Sequence, residues 1–97
     1  MRSPRTRRTS SGLLQAQHRA EKARHACYRA YDALLEARET LDEVVERAFR
    51  EKSFVPIDGL FARVEAAEDR FRRAMVGVRA AEDGLREVAK VRVLRDR

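Results

Sequence analysis

The sequence predicts an all-α chain built as an antiparallel two-helix hairpin, coiled-coil-like with an Ala-rich seam. Two long stretches carry apolar residues at alternating spacings of three and four, the period of one helix face. A single short segment, KSFVPIDGLF, separates them. The composition agrees: 39% of the 97 residues are charged and 6% aromatic, there is no Trp, and only four Gly and two Pro punctuate the chain. No strand-like run competes with this pattern.

Residues 1–11, MRSPRTRRTSS, contain no apolar side chain after Met1 and are predicted to form a flexible basic arm. Of the net charge of +6, four units come from Arg2, Arg5, Arg7 and Arg8, so the remainder is near balance. Ser11 is the expected N-cap of a first helix over 12–52. Along it Leu13, Ala16, Ala20, Ala23, Cys27, Ala30, Leu34, Ala37, Leu41, Val44 and Ala48 form an unbroken seam. The predicted loop is 53–57, because Pro56 disfavours helical geometry at Val55, and Asp58 is the expected cap of a second helix over 58–94. Its seam reads Ile57, Leu60, Val64, Ala67, Phe71, Ala74, Val78, Ala81, Leu85 and Val88. The hairpin domain thus spans 12–97.

Side-chain size sets the register. Folding at the loop places opposite one another seam residues whose numbers sum to 108: Ala48 with Leu60, Val44 with Val64, Leu41 with Ala67, Ala37 with Phe71, Leu34 with Ala74, Ala30 with Val78, Cys27 with Ala81, Ala23 with Leu85, and Ala20 with Val88. Nearly every layer sets a large residue against a small one, so the layers interdigitate at close helix separation. With the seam as heptad positions a and d, the flanking e positions pair Val45 with Phe61, Arg38 with Glu68, Tyr31 with Met75, and Arg24 with Glu82. Apolar meets apolar, and Arg meets Glu.

Tyr28, Tyr31, Leu35, Val45, Phe49, Phe61 and Met75, together with Leu14, lie at b and e positions and form a second apolar stripe that two helices cannot cover. This stripe is the predicted protein interface, and dimerisation through it would complete a four-helix bundle. On the opposite flank Gly77 and Gly84 fall at g positions, either for close approach of another helix or as exposed positions of no consequence.

Catalysis is not expected. His18 and His25 lie seven apart on the most exposed face with no third ligand, and Cys27 points into the seam some 160° away from His25. Carboxylates such as Glu36, Glu39, Asp42 and Glu43 are interleaved with Arg, the pattern of a solvated face. A two-helix hairpin offers no deep pocket, so no metal, cofactor or small-molecule substrate is predicted. With one Cys there is no intramolecular disulfide, and no apolar run is long enough for a membrane span or a cleavable signal. The expected location is the cytoplasm or a protein assembly, with secretion lacking a cleavable signal left open.

Three functions compete. The first is a non-catalytic interaction or assembly protein, a homodimer or a module docked on a protein partner through the stripe. The second is a nucleic-acid-associated protein, with Arg2, Arg5, Arg7 and Arg8 contacting phosphates from a hairpin-dimer scaffold. The third rests on resemblance: a chain of about one hundred residues forming an Ala- and Arg-rich helical hairpin resembles the small secreted proteins of the WXG100 class. Here the loop reads SFVPIDG without Trp-x-Gly, and Tyr28 to Asp32, the only Tyr-x-x-x-acid match, falls inside the first helix. The resemblance implies a secreted hairpin protein and transfers no functional residue.

Overall fold

The computed structural model describes residues 4–95, with side chains described from residue 12 onward. Among the described residues there are two helices and no strand: α1 over Pro4–Glu51 and α2 over Asp58–Arg95. They pack into an extended hairpin of 76 × 21 × 16 Å. Its radius of gyration is 21.8 Å, against about 13 Å for a compact domain of similar length.

Helix α1 begins at Pro4 rather than at the Ser11 cap expected from the sequence. Proline suits a first helical turn, where its missing N–H would have no partner. No breaker other than Gly12 lies between it and the seam, and extending a formed helix fixes one residue per hydrogen bond gained.

The seam is where the sequence pattern places it. All twenty-one seam residues from Leu13 to Ala48 and from Ile57 to Val88 are buried or partly buried. Of the other described side chains, only Gly12, Glu68, Asp69, Glu82 and Ala89 are less than exposed. Leu34, Val64 and Ala67 form the core proper, with Ala37, Leu41 and Phe71 packed against it. Ala16 and Ala20 are buried nearer the open end. The core is thin, since among the described residues no large side chain falls below 2% exposure.

The turn is held by backbone bonds. The Ser53 N–H donates to the Ala48 carbonyl at 3.0 Å and the Lys52 N–H to the Phe49 carbonyl at 3.4 Å. This is the Schellman closure, which satisfies carbonyls left over at a helix end. It requires Lys52 to adopt φ 51°, a left-handed conformation costly for a residue with a Cβ. Lys52→Gly should therefore raise unfolding stability by about 0.5–1 kcal/mol, after the greater unfolded-state entropy of glycine is subtracted. Urea denaturation followed by circular dichroism reads the difference.

At the start of α2 the Phe61 N–H donates to the Ile57 carbonyl at 2.9 Å. The cap position is thus Ile57, not Asp58 as expected. Asp58 sits inside the first turn, where its charge favours the exposed N–H groups through the helix dipole. Ile57 is held there because it is also the first seam residue of α2.

Candidate protein-interaction surface

Two interhelical ion pairs orient the flanks of the hairpin. Arg24 Nε lies 3.6 Å from Glu82 Oε1, and Arg38 Nη2 lies 3.7 Å from Glu68 Oε1. These are the e-position pairs expected from the antiparallel register, so the e rows of α1 and α2 adjoin along one side of the hairpin. All four side chains are between 37% and 52% exposed, and each pair contributes no more than about 1 kcal/mol. Their larger value is geometric, as two fixed points of register 14 residues apart on each helix.

On the same side, at e and the adjoining b positions, every predicted stripe residue is exposed. Tyr28 is 65% exposed and Phe49 86%, and Tyr31, Leu35, Val45, Phe61, Met75 and Leu14 are exposed as well. The ring of Tyr31 rests on the seam residue Phe71, with centroids 5.3 Å apart and planes tilted by 51°. Such a tilted contact between aromatic rings is favourable beyond the area it buries. It couples the stripe to the core, because Phe71 packs on the Leu34 cluster.

At the loop end the stripe widens into two open grooves. One, of about 640 Å³, lies between Leu41, Val45, Phe49 and Phe61, with Asp42, Glu46 and Arg50 at its edge. The other, of about 380 Å³, runs between Val45, Phe49, Phe54 and Ile57. Phe54 is 99% exposed, and the sequence pattern did not single it out, nor Val55 beside it. An aromatic residue in a breaker segment facing no seam residue was the available signal. A third groove, of about 530 Å³, lies at the open end of α2 between Ala89, Val93 and Leu94, bordered by Arg86 and Lys90.

The opposite flank differs. A methyl group added at Gly77 or Gly84 would meet nothing within 4 Å, so packing within the hairpin does not require glycine there. Cys27 is a free, partly buried seam thiol. Among the described residues no group of three His, Cys, Asp or Glu side chains could hold a metal ion. No helix among them is long and apolar enough to cross a membrane. Arg2 lies outside the described residues, and the side chains of Arg5, Arg7 and Arg8 lie outside the described side chains.

No protein-family model, no curated protein and no solved structure matches the chain.

Proposed function

We propose that this chain is a non-catalytic helical-hairpin assembly protein that self-associates through the apolar stripe and thereby completes a four-helix bundle. The observation that carries the reading is the stripe: large apolar side chains exposed in a row along one side of a hairpin with a thin core. The accessible surface adds support. It is 8497 Å² for a chain of 11.2 kDa, where a compact monomer of that mass exposes roughly 5,700 Å². A face as long as α2 and as wide as the hairpin's smallest dimension of 16 Å offers on the order of 900 Å² per copy, close to the size of a standard interface.

Light scattering during size-exclusion chromatography, with absorbance read at two wavelengths, tests the reading on the full chain. The expected result is a dimer of twice 11.2 kDa with the absorbance ratio of protein alone. A helical monomer at micromolar concentration would overturn it. A peak carrying nucleic acid that is lost when residues 1–11 are removed would put a phosphate-binding role in its place.

A further inference from the structure

We propose that the second copy docks with both loops at the same end, about a two-fold axis running along the length of the hairpin, so that α1 of each copy lies on α2 of the other. This rests on the self-association reading above. Two hairpins meeting face to face through the stripe have two symmetric choices, since the axis in the plane between them runs either along the helices or across them. The choices bring different rows together, and charge decides between them.

With the axis across the helices, loops at opposite ends, α1 lies on α1 and α2 on α2. Around a midpoint at Tyr31 and Met75, Arg24 then faces Arg38 of the other copy, and Glu68 faces Glu82. In the b rows Arg72 faces Arg79, and Glu21 faces Asp42. Four kinds of like-charge contact result against one of opposite charge, Glu65 with Arg86, each made twice, and like charges placed together across an interface oppose docking.

With the axis along the helices, every row meets the other helix's row at its own level. The Arg24–Glu82 and Arg38–Glu68 pairs each stack on their own reversed copy, giving rings of alternating charge. In the b rows Glu21 meets Arg86, Tyr28 meets Arg79, and Leu35 meets Arg72; at the open end Leu14 meets Val93. One like-charge contact remains, Asp42 with Glu65.

Same-end docking also gives the b-row arginines of α2 apolar surface to cover. Arg73, Arg86 and Lys90 make ion pairs along α2, to Asp69, Asp83 and Glu87. Arg72 and Arg79 make none among the described residues, and neither do Arg63, Arg70 and Arg92. Under same-end docking, the guanidinium of Arg79 covers the exposed ring of Tyr28, a cation–π contact. The methylene stem of Arg72 covers Leu35 while its charged head stays in water.

Spin labels measure the arrangement in the full chain. Cys27→Ala, a small-for-small change in the seam, leaves one label site in the Arg47→Cys variant, on the exposed flank opposite the stripe. Same-end docking predicts a dimer with a label separation below about 35 Å, while opposite-end docking displaces the two sites by more than about 45 Å along the axis alone. A dimer with the short distance supports the proposal. A dimer with the long distance overturns same-end docking and leaves self-association standing, and a labelled chain that scatters as a monomer overturns self-association itself.

Discussion

Tyr28→Arg combined with Leu35→Arg is expected to weaken self-association by about 100-fold or more, equivalent to about 2.7 kcal/mol, with little change in helix content. Both side chains stand exposed in the hairpin, Tyr28 at 65% and Leu35 at 40%, and arginine is a good helix former. The fold therefore loses little. Association loses two central apolar anchors, the kind of contact in which binding energy concentrates. Under the same-end docking proposed above it also gains repulsion, because the new cations then face Arg79 and Arg72 of the second copy. Adding Arg72→Glu and Arg79→Glu to the double variant should recover at least tenfold, since the repulsive pairs become attractive. Sedimentation equilibrium across a concentration series reads both steps. Unchanged affinity in a double variant of unchanged helicity would remove the stripe as the interface.

Most of the fold is legible in the sequence for one physical reason. A helix turning 100° per residue brings residues three and four apart onto one face, so a seam is written directly in spacing. Register is legible because the seam alternates in size: Phe71 needs Ala37, and Leu34 needs Ala74. What stays hidden depends on backbone detail that spacing does not encode. The start of α1 at Pro4 follows from propagation into residues with no apolar pattern to mark them. Ile57 takes the cap position because the first bond of α2 runs from Phe61 to its carbonyl, one residue before the polar side chain that resembled a cap. The contact of the Tyr31 ring with Phe71 was not legible either, because heptad letters fix where a side chain starts and not how it turns. The exposure of Phe54 is not legible because a breaker segment carries no period against which exposure can be judged.

The candidate surface was legible in the same way, as apolar residues left over once the seam is assigned. The charged rows beside it gained meaning only with the ion pairs in place. Arg24 with Glu82 and Arg38 with Glu68 fix which edges adjoin. A row of arginines is ordinary in so charged a chain. Under the same-end docking proposed above, Arg72 and Arg79 come level with the exposed Leu35 and Tyr28 of the second copy.

Leu34→Ala should destabilise the hairpin by about 3 kcal/mol, the largest effect expected of any single substitution here. Leu34 is 3% exposed, the most buried large side chain, and Val64, Ala67, Ala37 and Phe71 belong to the cluster around it. In so thin a core the cavity is not diluted by further layers, and a domain is stable by only about 5–15 kcal/mol in total. The register makes a sharper prediction. The register of the seam sets Ala74 opposite Leu34, so Ala74→Leu alone should overpack the layer and cost about 1–3 kcal/mol. The two changes together only exchange the sides of one large and one small residue. The double variant should recover at least half of the summed loss, a coupling of more than about 1 kcal/mol of the kind seen between residues in contact. Urea denaturation of the four proteins at one chain concentration closes the cycle, the concentration being held because association adds to apparent stability. Additive losses would mean that Leu34 and Ala74 do not share a layer, and the pairing of the helices would have to shift by at least one turn.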